Sequence, residues 1–419
     1  MADPKKLTVL QLLPALESGG VERGTLEIAQ ALVKQGHRAL VMSAGGRLVE
    51  SLVQSGAEHY TWPVGVKSVR TLLMAHRLRR FLIEHRVDIL HARSRVPAWL
   101  AWLAWRGMDP ATRPRFVTTV HGLYGVNRYS GIMTRGEAVI AVSDTVRAYI
   151  LEHYSDTLPW RIHVIHRGVD GEAYPYGWKP DATWRAQFFA QFPAANDRTL
   201  ITLPGRITRL KGHEDFIELI GRLKRRGLPV HGLIVGGATQ SKQRYLQKLY
   251  YRVRSAGLTS DITFTGQRDD LKHILAISRL VLSLSSQPES FGRTTLEALR
   301  LGVPVAGYAH GGVGEILRTV YPDGLLPNDN FDASCQRIGQ LLANPQPVPE
   351  GDFFPLQAML DQTLALYEQL TRAPRIAPGK CLRRPRTLPA TSRNATQGLD
   401  WRIARRDSST SPLPPFPFR

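Results

Sequence analysis

The sequence predicts an α/β protein made of two Rossmann-like, doubly wound domains that face each other across a cleft. Three observations predict it. At 419 residues the chain exceeds what one hydrophobic core usually supports. Short apolar runs alternate with helical patterns through its first half, as parallel strands and their crossover helices do. The alternation then begins afresh near Leu200, after a stretch from Gly168 to Arg198 dense in Pro, Gly and aromatic residues.

In the first half, Leu7–Leu13 reads as a buried strand, followed by a turn at Gly19-Gly20 and a helix over Val21–Gln35 that Gly36 ends. Arg38–Ser43, Asp88–His91, Phe116–His121 and Ala138–Val142 are further strands, and Ser143-Asp144 caps a helix to about His153. In the second half the strands are Leu200–Pro204, Val230–Val235, Ile262–Thr265, Leu280–Ser283 and Val303–Gly307. Helical patterns cover His213–Arg226, Ser241–Ala256 and Thr294–Leu301. The organisation is therefore a first domain over 1–175, a second over 176–353, a final helix over 354–372 and a tail over 373–419. The tail is Pro-rich and basic without helical or strand period, the signature of disorder. In doubly wound sheets ligands bind beyond the carboxyl ends of the strands, so the cleft is the expected site.

Composition narrows the class. With 43% hydrophobic and 21% charged residues the chain matches a soluble globular enzyme. Its longest apolar stretch, Pro97–Trp105, is too short to span a bilayer and is flanked by Arg93, Arg95 and Arg106. No signal-peptide pattern precedes Leu7, and two cysteines, Cys335 and Cys381, fit a reducing compartment. A cytoplasmic protein is expected. The net charge of +20 permits an anionic membrane face or acidic substrates as partners, as well as a plainly solvated basic surface. Eleven Lys/Arg against two Asp lie in Thr371–Arg419, and a basic run Arg77, Arg79, Arg80, Arg86 lies in the folded part. No basic helix or aromatic platform is organised for nucleic acid, so none is expected as partner.

Local chemistry concentrates in a few loops. In Pro288-Glu289-Ser290-Phe291-Gly292-Arg293-Thr294-Thr295-Leu296-Glu297-Ala298, a strand leads through a polar loop into a helix near Phe291 or Gly292. Free N–H groups at such a helix start suit a phosphate or sugar oxygen, and Gly292 permits close approach. Glu289 and Glu297 could flank the bound group, although their spacing alone equally fits a capped helix with two solubilising glutamates. Arg206 and Lys211 in Gly205-Arg206-Ile207-Thr208-Arg209-Leu210-Lys211-Gly212 place two cations on one loop, where they can stabilise a departing diphosphate without a metal. Asp269-Asp270 is read as a helix cap rather than a metal motif, and no His/Cys spacing matches zinc.

Taken together and in order, these segments resemble retaining glycosyltransferases of family 4, which have the GT-B fold. The carrying motifs are the Glu289-x7-Glu297 segment with Ser290-Phe291-Gly292 inside it, the Gly205–Gly212 loop, Val235-Gly236-Gly237, Phe264-Thr265-Gly266, Glu297–Val305, and Gly311-Gly312 with Glu315. The resemblance spans about residues 7–370 and implies a metal-independent enzyme using a nucleotide-diphosphate-sugar, with no cofactor. It implies donor contacts from Gly205, Arg206, Lys211, Gly236, Glu289, Phe291, Gly292, Thr294 and Glu297, and from Gly19 and Gly20 across the cleft. It places His121, in Val117-Thr118-Thr119-Val120-His121-Gly122, near the transferred sugar, and packs the final helix back across the first domain. Arg93 and Arg95, on a strand-to-helix loop, are read as projecting towards an anionic acceptor, or else as solvated charge. Asp144 is an acceptor contact or a helix cap. With the basic surface, they point to an anionic glycan or lipid-linked acceptor, in lipopolysaccharide core or other envelope polysaccharide synthesis, and to a peripheral position on the cytoplasmic face of the inner membrane. A nucleotide-sugar epimerase or other GT-B relative, and a non-catalytic polyanion-binding protein, are the alternatives. One departure stands out: Arg167 replaces the family's usual Asn before Gly168-Val169-Asp170, where Gly168 is expected for its backbone angles.

Overall fold

A computed structural model describes residues 5–17 and 19–374. The expectations for Ser18, for Cys381 and for most of the tail lie outside the described residues. The first sheet holds β1 (Thr8–Leu12), β2 (Arg38–Ser43), β3 (Glu58–Thr61), β4 (Ile89–Ala92), β5 (Arg115–Val120), β6 (Ala138–Ala141) and β7 (Ile162–Val164). Its helices are α1 (Gly20–Lys34), α2 (Val49–Gln54), α3 (Val69–Leu73), α4 (Ala75–Glu84), α5 (Arg95–Arg106) and α6 (Asp144–His153). Then α7 (Ala182–Gln191) leads into the second sheet. That sheet holds β8 (Thr199–Pro204), β9 (Val230–Val235), β10 (Ile262–Gly266), β11 (Leu280–Ser283), β12 (Val305–Tyr308) and β13 (Leu325–Leu326). Between and after these strands lie α8 (His213–Arg225), α9 (Gln243–Ser255), α10 (Leu271–Ile277), α11 (Arg293–Arg300), α12 (Gly311–Val320), α13 (Phe331–Ala343) and α14 (Leu356–Arg372).

All pairings within both sheets are parallel. The strand orders are β3-β2-β1-β4-β5-β6-β7 and β10-β9-β8-β11-β12-β13. Central strands such as β4, β5 and β9 are buried at every position, because helices cover both faces. Each order reverses once, between β1 and β4 in the first sheet and between β8 and β11 in the second. The loops after those four strands therefore flank the two crevices where a doubly wound sheet binds ligands. They are the loops that carry Gly19-Gly20, Arg93, Arg206 with Lys211, and Glu289.

The final helix belongs to the first sheet's core. Met359, Leu360, Leu364 and Tyr367 of α14 are buried in one cluster with Leu7, Val9, Ile28 and Leu32. Each leucine so buried contributes about 1.5–3 kcal/mol, enough to hold the end of the chain there. The crossing is sealed where Val169 N–H donates to Phe354 O at 3.1 Å and Leu356 N–H to Val169 O at 3.1 Å. This corrects the expectation for Gly168. It is not among the positive-φ residues; a Cβ there would meet Leu356 Cα at 2.5 Å. Close approach of α14, not a turn angle, requires the glycine.

Other differences are local. The short strands β3, β7 and β13 lack a sequence signal long enough to stand out. The strand expected from Val303 starts at Val305, because Gly302 at φ +75° and Pro304 still belong to the turn after α11. Asp270 precedes α10 but makes no side-chain cap bond. Its carboxylate is taken instead by Arg268 at 2.6 Å and Trp184 Nε1 at 2.9 Å.

Candidate active site

At the first crevice, Gly19 is the extended residue preceding α1. A Cβ at Gly20 would meet nothing within 4 Å, and one at Gly19 would meet only the Glu22 carboxylate. The backbone does not need these glycines; they leave open space before the helix N-terminus, where an anion is favoured. Beneath them the site is unusual. Arg93 is buried at 1% exposure, with Nη1 donating to Gln11 Oε1 at 2.8 Å. Its Nε and Nη2 have no hydrogen-bond partner. It is therefore not the projecting arginine that the sequence implies: it is buried against Gln11 of β1. Arg167, also buried, donates to Gly20 O at 2.8 Å. A Cβ at Gly24 would lie 1.6 Å from the Arg167 Nη2 atom, so that glycine makes the channel the guanidinium occupies. Burial lowers Arg93 to about 10 and Arg167 to about 9.

His121 follows β5 and is half-buried, with Nε2 lacking a partner. Burial, then the charges of Arg93 and Arg167, hold its imidazole well below the usual histidine value, so it is neutral near pH 7. Its carbonyl accepts from Ser290 Oγ of the second lobe at 2.7 Å. Arg95, half-buried, lies over the rings of Tyr124 and Tyr129 at 4.7 and 5.3 Å.

The second crevice handles charge differently. Lys211 Nζ donates to Glu289 Oε1 at 2.8 Å, and Ser285 Oγ donates to the same carboxylate. Burial alone would raise the Glu289 carboxyl, but Lys211 and Ser285 more than offset it and hold it below the ordinary glutamate value. Glu297 on α11 is 2% exposed. It lies 3.3 Å from Arg293 Nε and 3.7 Å from Arg23 Nη1, without hydrogen-bond geometry at Oε1. Burial pushes its carboxyl up despite both arginines. Arg293 reaches across to Glu27 of α1 at 2.5 Å. Arg206 is exposed, and its side chain makes no hydrogen bond or ion pair with the other described residues.

Not every expected donor contact points into this crevice. Gly236 has φ +157°, and a Cβ there would sit 2.0 Å from Gly205 O, so it lets two loops touch. Phe291 is buried, its ring 5.8 Å from Phe354 and 6.5 Å from His166. Its ring packs into the second lobe's core. Gly292, at φ +99° before α11, and half-buried Thr294 on its first turn stay at the crevice.

Asp144 is exposed, and Ser143, not Asp144, caps α6 through Val146 N–H at 3.1 Å. The remaining N–H groups of that helix are taken by Glu315 of α12, from the other lobe. Glu315 accepts from Asp144 N–H at 3.1 Å and Thr145 N–H at 2.5 Å, and His166 Nε2 lies 3.7 Å away. Burial would raise the Glu315 carboxyl, but His166 and the helix N–H groups hold it low. Asp144, His166 and Glu315 bring possible ligand atoms within 4.8 Å; the capping bonds already account for that approach. Sequence reasoning missed Arg167, Glu315 and the Glu27–Arg293 pair as site-building residues.

Two family models match the chain. The one described as Glycosyltransferase Family 4 covers residues 18–173, and the one described as Glycosyl transferases group 1 covers residues 185–350. An uncharacterized glycosyltransferase of Methanocaldococcus jannaschii is 24% identical over 326 residues, covering 72% of this chain and 79% of its own length. A glycosyltransferase from Rickettsia africae superposes with a TM-score of 0.74 at 27% identity, covering 88% of this chain and 99% of that one. Anabaena HepE, solved with UDP and glucose, shares the fold with a TM-score of 0.73 at 20% identity, covering 88% and 100%.

Proposed function

The chain belongs to the family 4, group 1 glycosyltransferases of GT-B fold, and from that premise we propose that it transfers a sugar from a nucleotide-diphosphate-sugar to an anionic glycan or lipid-linked acceptor, with retention and without a metal. The observation that carries the donor assignment is the second crevice. Lys211 and Glu289 sit on the loops after adjacent strands β8 and β11, and Glu297 lies on the helix that follows. Glu297, a buried carboxylate whose Oε1 lies near Arg293 and Arg23 but accepts no hydrogen bond, suits the paired hydroxyls of a ribose. Arg206 and Lys211 take the diphosphate. When phosphate oxygens replace Glu289 as partners of Lys211, Glu289 is released to accept hydrogen bonds from the sugar.

The acceptor hydroxyl enters from the first lobe, beside His121. Neutral His121 offers a sugar contact without adding charge. The bond between the sugar's anomeric carbon and the departing phosphate oxygen breaks, and a bond from the acceptor oxygen forms on the same face. The acceptor's proton passes to the departing phosphate, whose charge Arg206 and Lys211 stabilise. The acceptor belongs to lipopolysaccharide core or related envelope glycans, reached from the cytoplasmic face of the inner membrane. Proton NMR of product formed in the presence of a chelator tests the chemistry. A product with the donor's anomeric configuration is expected; an inverted product, or strict dependence on added metal, contradicts it.

A further inference from the structure

Exposed large aliphatic side chains cluster in one stretch of the first lobe. Val66, Val69, Leu72 and Leu73 are 52%, 74%, 37% and 72% exposed, and Ile83 is 62% exposed. Such residues scattered singly need no explanation, whereas a run of them does. Ser68 caps α3 through Thr71 N–H at 3.2 Å. Met74, in helical conformation, is the single residue between α3 and α4. The two helices thus follow one another directly. Thr71, Leu78, Phe81 and Leu82 face inward, and Val69, Leu73, His76, Arg80 and Ile83 recur along the outer face.

Charge on these two helices is strongly one-sided, with exposed Glu84 at the end of α4 as the acid. Between Val66 and Ile83 lie Lys67, Arg70, Arg77, Arg79 and Arg80 and no acidic residue. Lys67, Arg70, Arg77 and Arg80 are exposed. The segment Val66–Leu73 also leads to the cleft. Lys67 Nζ lies 5.2 Å from the centre of the Tyr129 ring, which Arg95 also covers, and Arg95 in turn lies over Tyr124, three residues after His121.

We propose that the outer face of α3 and α4 is a membrane-docking surface for an anionic lipid bilayer. Val66, Val69, Leu72 and Leu73 enter the interface, Lys67, Arg70, Arg77 and Arg80 meet the headgroups, and Arg95 between its two tyrosines guides an anionic acceptor headgroup towards His121. This deepens, and rests on, the reading of a lipid-linked acceptor. Charge complementarity selects the occupant: aliphatic side chains among five Lys/Arg against one acid, Glu84 at the end of α4, match the boundary of an anionic leaflet.

The test is co-sedimentation of the full chain with mixed phosphatidylcholine/phosphatidylglycerol vesicles and with pure phosphatidylcholine vesicles. Wild type is expected to bind the mixed vesicles. The charge-neutral double variant Val69→Ser, Leu73→Ser is expected to lose about ten-fold in partitioning, with nucleotide binding and melting temperature unchanged. The basic tail is intact in both proteins, so tail-driven adsorption survives the substitution. Binding of the double variant equal to wild type, or no binding by wild type, overturns the proposal. So does a dimer that the double variant dissolves while vesicle binding persists, since the face would then pair two copies. Loss of vesicle binding alone leaves the transferase reading standing, and that reading fails only with the nucleotide titration and product analysis.

Discussion

The two crevices share one topology and differ in how they hold charge. Beside β1 and β4, Arg93 and Arg167 are buried with an amide oxygen and a backbone carbonyl as their hydrogen-bond partners. Beside β8 and β11, Lys211 is matched by Glu289, and Arg293 and Arg23 by Glu297. Buried cations without a paired carboxylate are costly to hold and strongly seek an anion. Paired cations are cheaper to hold, and an incoming phosphate can exchange for the carboxylate. The first crevice is therefore a preset positive field, and the second a set of exchangeable pairs.

Removing one member of each arrangement should break the comparison most visibly. Glu297→Ala leaves Arg23 without its carboxylate and Arg293 with Glu27 alone, and a loss of about 3 kcal/mol is expected in chemical denaturation. Arg93→Met removes a cation that has no carboxylate, so the same measurement should show a change near zero or a gain of about 1 kcal/mol. A large loss for Arg93→Met would mean that its buried charge is compensated after all. Next in size, Lys211→Ala should lower kcat by about 10²–10³ with the melting temperature held, read in a donor-turnover assay.

Acid should weaken the second lobe through two of its histidines, His213 on α8 and His231 on β9. Burial lowers His213 and His231 to about 4 in the folded protein, below the ordinary 6.5. As pH falls, the unfolded chain takes up these protons first. Stability is full above about pH 6.5 and is lost between there and about pH 4, at up to about 2.7 kcal/mol per pH unit for the two together. Denaturant midpoints across that window check it, and His213→Asn should flatten the slope. Smallest is Glu315→Gln, which weakens the cap on α6 by about 0.5–2 kcal/mol. It should raise KM more than it lowers kcat, because Glu315 joins the lobes and touches no reacting atom.

How much could be read in advance follows from how local each feature is. Lys211 and Glu289 were legible because each lies in a loop right after an apolar strand, where short-range pattern suffices. The strand-helix alternation gave the two sheets for the same reason. Arg167 was not legible: its channel exists only because Gly24, far away in sequence, lacks a side chain. Glu27–Arg293, 266 residues apart, and Glu315 with Thr145, 170 apart, depend on how the lobes dock. Arg93 misled because a strand-end arginine looks solvent-facing until β1 supplies Gln11 beside it. The burial of the Phe291 ring was not legible because a loop residue's core packing depends on Phe354 and His166, distant in sequence.

The central claim is that the second crevice exchanges its carboxylate partners for a nucleoside diphosphate. Calorimetric titration of wild type, Lys211→Ala and Glu297→Gln with UDP, GDP, ADP and CMP, in the presence of a chelator, tests it most directly. One nucleotide should bind wild type, with affinity reduced at least about ten-fold in each variant, while both variants melt as folded proteins. Equal binding by all three proteins, or none by wild type at millimolar nucleotide, would contradict the account.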